Sequence, residues 1–144
     1  DGGSGNDVLI GGAGQDFLRG NSGDDLFTFL SPSDGATVAD SVFGDVSADI
    51  IADFFGGDDT VQLAGSAFGF GAFTGTLTEG SNFFFQANFD GTNASGAPSI
   101  GAYVVFDTAN GTLYTDAAQG DGSYTVLATF SNGQLPAAAN IEII

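Results

Sequence analysis

Gly2 to Ile10 reads GGSGNDVLI, Gly11 to Arg19 reads GGAGQDFLR, and Gly20 to Thr28 reads GNSGDDLFT. The stretch repeats every nine residues without slippage. Asp7, Asp16 and Asp25 recur in phase, and so do the large apolar residues Leu9, Leu18 and Phe27. Glycines permit a tight turn in which successive carbonyl oxygens point into one concavity. The aspartate that ends the turn adds a carboxylate to the same concavity, and the three residues after it form a short strand whose middle side chain points inward. One nonapeptide is then half a turn of a flattened coil. Repeats i and i+2 stack on the same side, and a cation between them neutralises the stacked carboxylates. The one departure is Asn21 at the second glycine position, where Asn tolerates a left-handed backbone better than other non-glycine residues. A flexible Gly/Asp linker is the competing reading. A linker gives no reason for Leu, Leu and Phe to keep register with Asp.

The charge balance points the same way. Eighteen carboxylates face one cation, Arg19, for a net charge of −17 on 144 residues. Such a chain repels nucleic acid and anionic membranes, which excludes both as expected partners. It also repels itself unless cations other than side chains supply the missing charge. Residues 1–59 hold 12 of the acids and residues 60–144 hold 6, so the acids are densest where the glycines are. With no Cys and no His, disulfides, thiolate sites and the usual zinc and transition-metal ligands are gone. Hard oxygen donors remain, which favours Ca²⁺ over Mg²⁺.

At 144 residues, with 42% hydrophobic residues and 15 phenylalanines, the chain has material for a single core. No run approaches the roughly 20 apolar residues needed to cross a bilayer. The opening residues carry no basic leader with an apolar segment, so no N-terminal signal peptide is expected there, and a start inside a glycine repeat suggests a fragment of something longer. Residues 29–48 are mixed, with turn residues Pro32, Asp34 and Gly35. Asp49 to Leu63 (DIIADFFGGDDTVQL) is strand-like, broken by a Gly-Gly-Asp-Asp turn. From residue 64, segments Asn82–Ala87, Ala102–Phe106, Gly111–Tyr114, Ser123–Phe130 and Asn140–Ile144 are aromatic and β-branched, as strands require. Asn110-Gly111 is expected to close a hairpin, Asn132-Gly133 to form a turn, and at most a short helix is expected near Pro136–Asn140.

Catalytic readings are weak. The pairs Asp24–Asp25 and Asp58–Asp59 suit acid–base work in principle, but Asp25 already has a repeat role. A serine nucleophile lacks His or Lys as a base. Asp116 to Gly122 (DAAQGDG) lacks the order of acids and closing Glu of an EF-hand loop, and reads as a turn. Phe83-Phe84-Phe85 reads as core packing more than as an exposed patch. Asn93-Ala94-Ser95 and Asn110-Gly111-Thr112 match a glycosylation sequon that is common by chance.

The repeats match the G-G-x-G-x-D-x-U-x pattern, and the chain resembles the C-terminal end of RTX proteins, which bacterial type I systems export. Asp49 to Phe54, with Gly57 to Leu63, resembles the segment that closes the β-roll in serralysin-like C-terminal domains. Phe106-Asp107-Thr108 through Gly111 to Ala117 resembles their targeting region, and Asn140 to Ile144 ends like such export signals. The resemblance implies Ca²⁺ between repeats i and i+2, held by glycine-turn carbonyls and one aspartate per repeat. One site combines Asp7 and Asp25 with carbonyls of Gly2, Ser4, Asn21 and Gly23. A second uses Asp16 with carbonyls of Gly11 and Ala13, and its partner comes from the closing segment, Asp53 first and Asp49 second, since no fourth nonapeptide follows.

The expected fold is all-β: a parallel β-roll of nonapeptide repeats continuing into an antiparallel β-sandwich-like C-terminal cap. The expected organisation is calcium-binding repeats over 1–28, a roll-closing segment over 29–63, and a cap with the type I secretion signal over 64–144. The expected function is non-enzymatic: a hemolysin-type calcium-binding module that folds on Ca²⁺ outside the cell, its partners being calcium ions and the type I secretion apparatus. The alternative is a calcium-dependent structural subunit of a surface layer, adhesin or self-assembling extracellular fibre, with self-association or cell-surface contact. Either is secreted, extracellular or bound at the bacterial surface.

Overall fold

Each Asp-x-apolar step of the repeats becomes a very short strand, and alternation along it turns the second residue inward. Leu9, Leu18 and Phe27 are buried, while Val8 and Phe17 one residue earlier are exposed. The structure, a computed structural model, describes residues 1–38, 48–89, 101–116 and 124–144. Its strands in chain order are β1 Gly3–Ser4, β2 Val8–Leu9, β3 Phe17–Leu18, β4 Asn21–Ser22, β5 Leu26–Phe29, β6 Ala36–Val38 and β7 Asp49–Ile51. They continue as β8 Thr60–Leu63, β9 Gly75–Thr76, β10 Phe83–Gln86, β11 Tyr103–Asp107, β12 Thr112–Asp116, β13 Tyr124–Phe130 and β14 Ile141–Ile143. Among the described residues helix is confined to two single 3-10 turns, Pro32–Asp34 and Ala138–Asn140, the latter inside the expected 136–140 stretch. The chain is all-β, as its pattern requires.

Successive repeats alternate between two sheets. One sheet runs β2-β5-β8-β14-β9; the other runs β10-β11-β12-β13-β7-β3, with β6 also beside β13. Repeats one and three meet in the first sheet, parallel, with Val8 opposite Leu26 and Leu9 opposite Phe27. Repeat two lies in the second, where Phe17 faces Ile50 and Leu18 faces Ile51. β8 then continues the first ladder, pairing Leu26 with Thr60 and Phe27 with Val61. The closing segment thus supplies two further half-turns of the coil, although no fourth glycine-rich nonapeptide is spelled out.

The cap grows from the same two sheets. β13 lies parallel to β7, and β14 lies parallel to β8. Hydrogen-bonded sheets therefore run across the boundaries near residues 28 and 63. β11, β12 and β13 form the antiparallel part, with the β11–β12 hairpin closed at Gly111, whose φ is 72°. β10, however, joins β11 in parallel, so the cap is a mixed sheet. β14 is an interior strand between β8 and β9.

The burial pattern follows from this layering. β11 is buried on both faces, so it is apolar without alternation. Val104 and Phe106 join the large core between the sheets; Tyr103 and Val105 join a second cluster behind. Opposite Leu113 and Tyr114, β13 carries a bulge: they pair with Ala128 and Val126 and leave Leu127 extra. The phase change directs Leu127, Ala128 and Phe130 into the main core, whereas Tyr124 and Val126 face the second cluster. Phe54 sits edge-on to Phe130 at 5.0 Å and joins the roll interior to the cap. Phe83 and Phe84 are buried and Phe85 is partly exposed. Ser123, the Ala117–Gly122 part of the DAAQGDG turn and the sequon at Asn93 lie outside the described residues.

Candidate metal centre

The turns that precede the short strands stack as the strands do. Gly3 lies opposite Asn21 and Ser4 opposite Ser22. The first turn donates from Gly2, Gly3 and Gly5 N–H to the carbonyls of Arg19, Gly20 and Ser22 at 2.8, 3.0 and 2.7 Å. Asn21 takes φ of 74°, the left-handed conformation that its counterpart Gly3 adopts in repeat one.

Beneath the turns runs a ladder of aspartates. Asp7 N–H donates to Asp25 Oδ1 at 2.9 Å, and Asp25 N–H donates to Asp59 Oδ1 at 3.0 Å. On the other side Asp16 N–H donates to Asp49 Oδ1 at 2.9 Å. Asp25, Asp49 and Asp59 thus each spend one oxygen on the N–H of an aspartate in the preceding layer. Asp7 Oδ2 and Asp49 Oδ2 are buried and have no hydrogen-bond partner. Burying a carboxylate oxygen without a donor is costly.

These open oxygens face the glycine turns. A Cβ built on Gly11 would stand 2.7 Å from Asp49 Oδ2 and 3.0 Å from Asp16 Oδ2, so both carboxylates converge beside that glycine. A Cβ on Gly2 would stand 2.7 Å from Asp7 Oδ2 and 2.9 Å from the Gly20 carbonyl oxygen. On Gly20 it would overlap the Asp25 carboxylate. The first glycine of each repeat thus leaves room for oxygens to crowd together.

Electrostatics register the crowding. Burial, with the charges of Asp16 and Asp34, lifts the Asp49 carboxyl from 3.8 to about 6 against the lowering effect of the Asp16 N–H. Burial also raises Asp59, opposed by N–H bonds from Asp25 and Phe55 and reinforced by the charges of Asp25 and Asp53. The single cation, Arg19, lies with its guanidinium 5.4 Å from the centre of the Phe17 ring.

A hard cation with six to eight oxygen ligands fits this donor set. Among the described residues no three acidic side chains group around one point, so most ligands must be backbone carbonyls, as the stacked turns allow. The structure brings Gly2, Ser4 and Asp7 together with Asn21, Gly23 and Asp25. It brings Gly11 and Asp16 together with Asp49, Ala13 lying in the turn between the first two, and residues 44–47 before Asp49 lie outside the described residues. Asp53 stands elsewhere: it accepts from Gly20 N–H at 3.0 Å and Asn21 N–H at 2.9 Å, leaving Asp49 as the partner of Asp16.

Asp59 escaped sequence reasoning. It occupies the same ladder position as Asp25, and the signal was its spacing: Asp59-Thr60-Val61 copies Asp25-Leu26-Phe27. Both its oxygens accept N–H groups, Oδ1 from Asp25 and Oδ2 from Phe55 at 2.8 Å, so the ladder closes there without a free carboxylate oxygen.

Residues 1–29 match the family model described as the RTX calcium-binding nonapeptide repeat, of which this stretch holds three units. No curated protein matches the chain. The matched residues contain the stacked turns and the Asp7–Asp25 pair, so over this stretch the geometry and the similarity to calcium-binding repeats agree.

Proposed function

We propose that the chain is a non-enzymatic calcium switch for folding, carried by a bacterial protein that leaves the cell through a type I system. One observation carries this reading: two aspartate pairs converge on glycine turns with buried, unpartnered oxygens at Asp7 and Asp49 and no basic side chain to neutralise them. Ca²⁺ bound there would supply the missing positive charge and link turns i and i+2. Asp7 and Asp25 would hold one ion with carbonyls of the first and third turns, and Asp16 and Asp49 a second with carbonyls of the second turn.

The chain's own residues define both states. Without metal, carboxylate repulsion and glycine entropy oppose the roll, which favours a threadable chain where calcium is scarce. In calcium-rich surroundings each site held at ~100 times its dissociation constant adds about 2.7 kcal/mol, comparable with the margin of a small domain. The serralysin-like closing segment and residues 64–144 then complete the fold, and the C-terminal residues serve export before folding. Circular dichroism after exhaustive chelation, then in millimolar Ca²⁺, should show disorder converting to β structure. An identical β spectrum in both, with metal shown absent by mass spectrometry, refutes the switch. Secreted yield from a type I exporter, with and without residues 140–144, tests the export half.

A second reading, a surface or matrix subunit, is supported by one feature. Val8 on β2 and Phe17 on β3 are apolar yet exposed, at 62% and 56%, on the outward faces of the two sheets. A calcium-dependent rise in molecular mass on sizing would favour it.

A further inference from the structure

We infer that Asp53 is a positioning residue for the Asp7–Asp25 calcium site: its carboxylate replaces a missing turn of the roll and orients a peptide group of the site without touching the metal. The inference rests on the calcium reading above.

In the first turn, Gly2 and Gly3 N–H donate to the carbonyls of Arg19 and Gly20 in the turn stacked above. The corresponding donors of the third turn are Gly20 and Asn21 N–H. They meet no stacked glycine turn and donate instead to Asp53 Oδ1 at 3.0 Å and Oδ2 at 2.9 Å. One carboxylate does the work of two backbone carbonyls, and such charge-assisted bonds are the stronger kind.

The peptide concerned matters for metal binding. The Asn21 N–H held by Asp53 belongs to the same peptide unit as the Gly20 carbonyl, which accepts from Gly3 N–H at 3.0 Å. That carbonyl oxygen borders the pocket of Asp7 Oδ2 beside Gly2. The same peptide leads into Asn21 at φ of 74°, a backbone that a non-glycine residue holds only when its surroundings require it. Asp53 holds the N–H that enters this residue, with both its oxygens engaged by N–H donors.

Calorimetric calcium titrations of the full chain, Asp53→Ala and Asp53→Asn test the idea. Supporting metal ligands from behind typically changes affinity 10- to 100-fold. Asp53→Ala should therefore weaken the Asp7–Asp25 site about 10- to 100-fold while the number of bound ions stays the same. Asp53→Asn, which keeps one acceptor, should fall between. In calcium-loaded protein the amide proton resonances of Gly20 and Asn21 should move in both variants, and that of Asp16 should not. Loss of one bound ion in both variants would make Asp53 a ligand and overturn the inference. So would unchanged affinity with unchanged Gly20 and Asn21 resonances. If Asp53→Ala fails to fold even in millimolar calcium, Asp53→Asn carries the same readouts. An unaltered chain that binds no calcium overturns the functional reading as well; normal binding with indifferent Asp53 variants overturns this inference alone.

Discussion

Replacing Asp49 with Asn should make the chain more stable in chelator and remove nearly all of that advantage in calcium, a difference that follows from its surroundings. Asp49 is fully buried, gives Oδ1 to Asp16 N–H and leaves Oδ2 without a partner. Its carboxyl is raised by burial from 3.8 to about 6. A folded value above the unfolded one means that protonation favours the metal-free fold. That benefit is complete below 3.8 and lost as pH rises through about 6. At pH 7, keeping Asp49 ionised therefore costs the metal-free fold about 3 kcal/mol, at 1.36 kcal/mol per pH unit. Asp49→Asn retains an acceptor for Asp16 N–H and deletes the charge, so up to about 3 kcal/mol returns in chelator, on the order of 100-fold in the folded-to-unfolded ratio. In calcium the variant lacks a ligand and forgoes about 2.7 kcal/mol for a site held at ~100 times its dissociation constant, which offsets nearly all of the gain, so parent and variant should differ little there. Urea unfolding at pH 7, with an excluded osmolyte to populate the metal-free fold, measures both arms. Tyrosine fluorescence is the probe, since Tyr103, Tyr114 and Tyr124 are buried. A variant less stable than its parent in both media refutes the argument.

Asp25→Ala should shift the calcium midpoint far more than Asp24→Ala. Asp25 is buried and accepts Asp7 N–H, an orphaned donor worth about 1–3 kcal/mol, whereas Asp24 is exposed; equal shifts in parallel titrations would contradict the ladder. Removing residues 140–144 should raise the calcium midpoint and lower thermal stability in calcium, because Ile141 and Ile143 are buried in an interior strand. Ile141→Ala alone should cost about 2–5 kcal/mol, and an unchanged midpoint on truncation would refute the placement of β14.

Much of the roll was legible because its determinants are local. Glycines at fixed offsets set the turns, and the period brought Leu9, Leu18 and Phe27 to one interior. Even Asn21 was readable, since its backbone tolerance is its own property. Legibility failed where the period breaks. Asp7 and Asp25 stand 18 residues apart, but Asp16 and Asp49 stand 33 apart and Asp25 and Asp59 stand 34 apart. Insertions hide the continuing ladder, although the Asp-x-apolar triplet survives in both Asp49-Ile50-Ile51 and Asp59-Thr60-Val61. Asp53 was drawn to the metal by its charge, yet two backbone donors decide its place. The parallel docking of β10 on β11 and the bulge at Leu127 depend on partners remote in the chain, and no local pattern encodes them.

The pairing of Val61 with Ile141 has a consequence in time. Ribosomes add roughly 5–20 residues per second, and 80 residues separate these two partners. For roughly 4 to 16 s after β8 emerges, its outer edge therefore has no strand to accept it, however much calcium is present. Pairing of β8 with β14 therefore becomes possible only once residues 141–143 exist, so the sheet closes on the full length of chain and not turn by turn. The glycine turns name the fold, but β14 must be present for it to be adopted.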